Sequence, residues 1–271
     1  MGQVLTRLVT ENKGVTSLVV AGCATGDLRD DVCREILGVL LMVGTQFPAG
    51  QWVATKSKAA EWIYHAGAVI GTDWLSGGAH LNPAVSLYLY ALGEINRRQA
   101  ISKSAAAFAG VTLALPAFDW VAATLKLPTL GGPVYDETKF PVGYAFAQEA
   151  KSTMALCFMI AATSWELPGV KDSPYLIRMA VVAALVRAIV QTYPDLGPSM
   201  NPAVGIGYAA HARRGRYPTS VNQYAAYVGG PTAGAVIAAF LYAYYSNGKV
   251  FGYPARALLN LSGAKNAKLM A

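Results

Sequence analysis

Ser76-Gly77-Gly78-Ala79-His80-Leu81-Asn82-Pro83-Ala84-Val85 and Gly197-Pro198-Ser199-Met200-Asn201-Pro202-Ala203 are the two stretches on which the reading of this 271-residue chain turns. Each carries Asn-Pro-Ala and opens an apolar segment, Leu81–Leu92 or Met200–Ala212, that is too short to cross a bilayer. Proline is well tolerated at the first position of a helix, where its missing N–H costs nothing, and asparagine is a leading N-cap residue. The two segments therefore read as half-helices that start inside a membrane. One Asn-Pro-Ala alone would be an ordinary helix cap; two, each set between long apolar segments, are far more specific.

Working outward from these stretches, six segments are long and apolar enough to span, near Val32–Phe47, Ala59–Trp74, Ala100–Trp120, Gly143–Trp165, Tyr175–Tyr193 and Val221–Tyr245. The composition agrees: 54% of residues are hydrophobic and 14% charged, against roughly 25% charged in an ordinary soluble domain. A mean hydropathy of +0.34 is modest, so the spans are short and separated by polar loops. The formal charge of +7 comes from Lys and Arg clustered between apolar stretches. That pattern suits juxtamembrane loops and lacks the basic, aromatic-interleaved face of a nucleic-acid binder, so no nucleic-acid partner is expected.

Cys23, Cys33 and Cys157 have neither metal-ligand spacing nor an even framework, so no metal site is expected and small buried hydrophobes are the simplest reading. No nucleophile–base arrangement appears, which excludes a catalytic reading, and nothing calls for a cofactor. The first thirty residues lack the apolar core of a secretory signal. Met1-Gly2-Gln3-Val4-Leu5-Thr6 fits a short myristoylation pattern that arises often by chance.

The two halves of the chain echo each other. Glu35, in Glu35-Ile-Leu-Gly-Val-Leu-Leu-Met-Val-Gly-Thr45, lies 47 residues before Asn82, and Glu149, in the fourth span, lies 52 residues before Asn201. Three spans and one half-helix per copy make an odd number, so the second copy is inverted and the half-helices meet head to head at the midplane. The expected fold is an all-α membrane protein of six transmembrane helices and two re-entrant half-helices. Residues 1–29 are expected to form an N-terminal extension, 30–246 the membrane-spanning domain, with repeats at about 30–120 and 143–246, and 247–271 a C-terminal tail.

Together the two motif regions, the paired glutamates and Tyr227-Val-Gly-Gly-Pro231-Thr-Ala-Gly234-Ala235 resemble the aquaporins, the major intrinsic protein family. The resemblance implies a passive channel for water or small neutral solutes in a lipid bilayer, with single file past pore motifs Asn82, Pro83, Ala84 and Asn201, Pro202, Ala203. It further implies that Glu35, Glu149 and His80 brace the re-entrant loops, and that four copies assemble as a homotetramer. Counting from the motifs, the family's outer selectivity filter falls on Trp62, Ile189, Pro198 and Val204. Most water and glycerol channels of the family carry an arginine where this chain has Val204, so the filter is expected to be apolar and uncharged.

Gly-Pro-Ser-Met-Asn-Pro-Ala with such a filter is similar to the unorthodox branch, especially the plant small basic intrinsic proteins. That implies an internal membrane, the endoplasmic reticulum or another organelle, rather than the plasma membrane. The missing arginine, the bulky Trp62 and Arg187 inside the fifth span also admit a second reading, a non-conducting or poorly conducting structural subunit with partner subunits in a larger membrane complex.

Three smaller features remain. Arg187 lies two residues before Ile189, about 200° around a helix, and so points away from the pore if Ile189 points in. Arg213-Arg214-Gly215-Arg216 reads as a solvated turn. Gly67/Gly71 and Gly230/Gly234 have the four-residue spacing of close helix crossings.

Overall fold

The computed structural model describes residues 28–48, 51–53, 56–133, 135–192, 198–212 and 218–259. Six long helices run through it: α1 (Leu28–Gln46), α2 (Lys58–Ser76), α4 (Arg97–Leu125), α5 (Val142–Ala161), α6 (Tyr175–Thr192) and α8 (Val221–Tyr245). Between them stand two ten-residue helices, α3 (Pro83–Leu92) and α7 (Pro202–His211). A two-residue hairpin, β1 (Lys249–Val250) with β2 (Tyr253–Pro254), follows α8. All six expected spans and both half-helices are present. Cys23, the Met1–Thr6 pattern, Arg213–Arg216 and the ends of both terminal segments lie outside the described residues.

By length and hydropathy alone, α4, α6 and α8 suffice to cross a membrane. Helices α1, α2 and α5 have 19, 19 and 20 residues, which also falls in the spanning range, but they carry Glu35, Glu61 and Glu149. Ile63, Trp120, Leu176 and Val221 are 64–78% exposed on the outside of the bundle. Water would make that surface a liability; lipid makes it neutral.

Inside, the packing is dominated by alanine and glycine. Ala84, Ala91 and Cys157 from α3 and α5 pack with Ala235, Ala238 and Ala239 of α8, while Val39, Val43, Ala107 and Val111 of α1 and α4 enclose Ala203 and Val204 of α7. Each repeat therefore holds the other's half-helix: α3 packs on α8, and α7 packs on α4. The long pairs are equivalent, α1 on α4 and α5 on α8.

Two π-helical turns interrupt the second repeat, Ala162–Glu166 after α5 and Ala225–Gly229 within α8. The second stands directly before Gly230-Pro231. Pro231 has no N–H to give the carbonyl of Tyr227, so the helix widens by a residue there.

The glycine pairs behave differently from one another. A Cβ on Gly230 would lie 2.8 Å from Phe146 O, and one on Gly234 would fall on Ala150 O and lie 3.0 Å from Ala150 C, so this pair makes the α5–α8 crossing. Among the described residues, Gly67 and Gly71 meet nothing within 4 Å. Their spacing predicts a crossing, but no described part of the chain packs on this face of α2 at these glycines. Cys157 is buried as expected, whereas Cys33 is exposed. Gly234→Ala should lower the thermal unfolding midpoint in detergent, by the ~1–3 kcal/mol typical of overpacking. Gly67→Ala should leave the midpoint unchanged or raise it, since alanine gains about 1 kcal/mol over glycine in a helix.

Candidate functional site: the meeting point of the half-helices

Both half-helices begin with the same local geometry. Asn82 (φ −152, ψ 115) caps α3, its Oδ1 accepting from Ala84 N; Asn201 (φ −150, ψ 108) caps α7, its Oδ1 accepting from Ala203 N and Val204 N. The residue ahead of each asparagine is left-handed, Leu81 at φ 58 and Met200 at φ 50. Non-glycine residues adopt that conformation at a cost of roughly 1–2 kcal/mol, so something must hold them there.

The loop-bracing glutamates do so. Glu35 of α1 accepts from His80 N at 2.7 Å and from Leu81 N at 2.6 Å. Glu149 of α5 accepts from Ser199 N at 2.8 Å and Met200 N at 2.9 Å, and from the Ser199 hydroxyl at 3.1 Å. Both carboxylates are fully or almost fully buried. A carboxylate in a bilayer is tolerated when it faces the bundle interior and satisfies backbone that would otherwise stand unbonded. Glu35 has a further partner, Lys103 Nζ of α4 at 3.4 Å, which also reaches Asp31 at 3.3 Å. Lys103 and Asp31 escaped the sequence reading; their signal was a lysine inside an otherwise apolar span. His80 Nδ1 lies 2.9 Å from the Ser86 hydroxyl, tying the loop to α3 itself.

The turned carbonyls then link the loops. Asn82 Nδ2 donates to Met200 O at 2.7 Å, and Asn201 Nδ2 donates to Leu81 O at 2.8 Å. Each carboxamide thus uses its oxygen on its own helix and one N–H on the opposite loop, keeping its second N–H free to donate. Pro83, Ala84, Pro202 and Ala203 build the helix starts; Ala84 and Ala203 are buried in the packing, not on an open surface.

With the start of α2 drawn uppermost, a cavity of about 740 Å³ runs past both asparagines. Its upper wall includes Gln51 and Gly131–Pro133, its lower wall Leu89, Thr163 and Trp165. Gly131 N donates to Gln51 Oε1 at 2.8 Å, and the Tyr208 hydroxyl donates to Leu130 O at 3.1 Å, which fixes the loop at the upper mouth.

Of the four filter positions counted from the motifs, Pro198 and Val204 line this cavity, and Trp62 and Ile189 do not. Helix α2 presents His65, Val69, Thr72 and Asp73, so Trp62 sits one turn above the lining face. Helix α6 presents Met179, Val182, Val186 and Val190 at three- and four-residue spacing. Counting back from Asn201 misses this phase by one residue, and one residue is 100° of rotation. The same rotation brings Arg187 onto the cavity wall, where the count from Ile189 points it away. Its Nη2 is hydrogen-bonded to Glu61 Oε1 of α2. The upper wall is therefore neither wholly apolar nor uncharged.

Glu149→Ala should release the N–H groups of Ser199 and Met200 and leave Met200 without support for its left-handed backbone. The expected outcome is a destabilisation of at least ~2–3 kcal/mol, the cost of orphaning buried donors, read as a lower unfolding midpoint in detergent. Glu149→Gln keeps one acceptor oxygen and should lose less.

The comparisons with known proteins agree with this fold. The profile of the major intrinsic protein family matches residues 31–242. The chain is 28% identical over 239 residues to aquaporin NIP1-3 of Oryza sativa subsp. japonica, covering 87% of this chain and 72% of that protein. It is 30% identical over 214 residues to the probable aquaporin AqpM of Archaeoglobus fulgidus, covering 77% and 80% of the two chains. Among solved structures, the aquaglyceroporin from Plasmodium falciparum superposes with a TM-score of 0.64 at 18% identity, covering 80% of this chain and 96% of that one, a likeness of fold. The chain belongs to the major intrinsic protein family, as an integral membrane channel protein for water or small solutes rather than an enzyme.

Proposed function

We propose that the chain conducts water and small neutral solutes passively, in single file past Asn82 and Asn201. One observation carries this reading. The two carboxamides, each locked by the other loop, line a single cavity whose walls include residues of both mouths. A water molecule there accepts hydrogen bonds from the remaining N–H of each asparagine. The N-termini of α3 and α7 meet at the same point, and each carries about half a positive charge, so a cation is repelled where a neutral molecule is not. Water oriented oppositely on the two sides of the asparagines cannot relay a proton along the file.

On this reading, solutes are selected at the upper wall where Pro198 and Val204 line the cavity with His65, Val186 and Val190. The apolar members favour small molecules with little need for hydrogen bonds. The resemblance to the small basic intrinsic proteins supports residence in an internal membrane. The open face of α2 at Gly67 and Gly71 offers a flat surface to a neighbouring copy in a homotetramer.

The test is osmotic swelling of proteoliposomes. Water should equilibrate several-fold faster than across empty vesicles of the same lipid, and Asn82→Asp with Asn201→Asp, which replaces both midplane donors by acceptors, should abolish the difference. Swelling at the empty-vesicle rate by the native chain, for both water and glycerol, would leave only the structural-subunit reading.

A further inference from the structure

Among the described residues that line the cavity, two carry a full charge, Arg187 and Asp73. They stand at opposite ends. Asp73 lies in the last turn of α2, held at 2.7 Å by the Tyr175 hydroxyl at the start of α6. Arg187 lies near the end of α6, bound to Glu61 in the first turn of α2. Glu61 and Asp73 are 12 residues apart on one helix, a separation of about 18 Å along its axis. The paired asparagines lie between.

We propose that Arg187, held in place by Glu61, is the charge-selecting residue of the upper mouth, excluding cations and offering N–H donors to neutral solutes. The inference rests on the reading of the chain as a channel. Three observations carry it. First, Arg187 is on the cavity wall, with a side chain 13% accessible, while the other α6 residues on that wall, Met179, Val182, Val186 and Val190, are apolar. Its charge acts on the file with little water to screen it.

Second, Glu61 is shared. Its second oxygen, Oε2, is 3.3 Å from Lys58 Nζ, so the three side chains together carry one net positive charge. The Lys58 side chain is 85% accessible, so its share is screened by solvent. A guanidinium stays protonated at any physiological pH, so the charge is permanent. Third, the pairing uses Nη2, and a guanidinium has five N–H donors, so donors remain for the oxygen of a permeant molecule. The residue that follows the second Asn-Pro-Ala, Val204, can supply neither charge nor donor.

The alternative role for the pair is a staple between α2 and α6 with no influence on permeation. The two roles separate in a ratio, the permeability to protons and methylammonium divided by that to water, measured on proteoliposomes of the full chain. Arg187→Leu should raise this ratio about tenfold or more, the factor corresponding to ~1.4 kcal/mol of lost repulsion. Arg187→Lys should hold it near the native value, because the charge is kept although the guanidinium hydrogen bond to Glu61 is not. Glu61→Gln should hold it or lower it further. Val204→Arg added to Arg187→Leu should bring the ratio back down by restoring a charge on the cavity wall.

Should Arg187→Leu fold poorly because Glu61 is left alone, Arg187→Leu with Glu61→Leu removes both charges and should leak equally. A native ratio in a folded leucine variant, single or double, would overturn the inference and leave the channel reading intact. A native chain that passes neither water nor glycerol would overturn both.

Discussion

Non-helical backbone at mid-membrane depth has no water to bond with, and this chain places two such loops there, ahead of α3 and α7. Each is held by one buried carboxylate that accepts two consecutive N–H groups, Glu35 from His80 and Leu81, and Glu149 from Ser199 and Met200. That bidentate grip forces Leu81 and Met200 into the left-handed region and turns their carbonyls toward the opposite loop. Only then can Asn82 and Asn201 donate across to them, and only then are the two carboxamides fixed at the head-to-head junction. The repeats differ in how the carboxylate is neutralised. Glu35 has the ammonium of Lys103, itself shared with Asp31, whereas Glu149 has a third donor in the Ser199 hydroxyl. A buried ion pair rarely gains much over an apolar replacement, but removing one member of it strands the other, so the Lys103 cluster raises the consequence of any change at that end.

Close packing follows from the same constraint. A loop that enters halfway needs a half-helix to return it, and a half-helix of ten residues has too little surface to hold itself. It is held by the last span of the other repeat, α3 by α8 and α7 by α4, which requires small residues where the backbones approach. Gly230 and Gly234 allow α8 to lie against α5, and Gly110 allows α4 to lie against α1, where a Cβ would come within 2.8 Å of Val39 Cβ. Lipid offers no hydrophobic gain on helix association, so van der Waals contact at this distance and the loop hydrogen bonds carry the assembly.

Much of this was legible in the residues. The half-helices announce themselves by Asn-Pro at a helix start, and their observed bounds differ from the expected ones by only a residue or two. Glu35 and Glu149 stood out because they echo each other between the halves and match the loop-bracing carboxylates of the family that the motifs resemble. What the sequence could not give was rotational phase. The lining face of α6 was inferred by counting back from Asn201, and a one-residue difference rotates a helix by 100°, enough to exchange Ile189 for Val190 and Val186, and to swing Arg187 inward. On α2 the face was right and the level was one turn off, so His65 lines the wall in place of Trp62. The glycine pairs show the same limit. Gly67/Gly71 and Gly230/Gly234 have identical spacing, and nothing local tells which one has a helix against it.

The error in phase matters because electrostatics in a narrow pore depend on position more than on composition. The chain has no arginine after its second Asn-Pro-Ala, and by composition its upper wall reads as uncharged. Yet a charge on a neighbouring helix that lines the same cavity acts on its contents through the same low-dielectric surroundings, and its effect falls with distance. On the proposed reading, a permeant ion meets the sum of three fields. Asp73 sits at the lower end, the two helix N-termini at the centre, and Arg187 with its Glu61 and Lys58 partners at the upper end. On that reading a cation drawn toward Asp73 would face the half-helix dipoles next and Arg187 after them, spreading the barrier over two levels. A neutral molecule would gain donors at both levels and be repelled at neither.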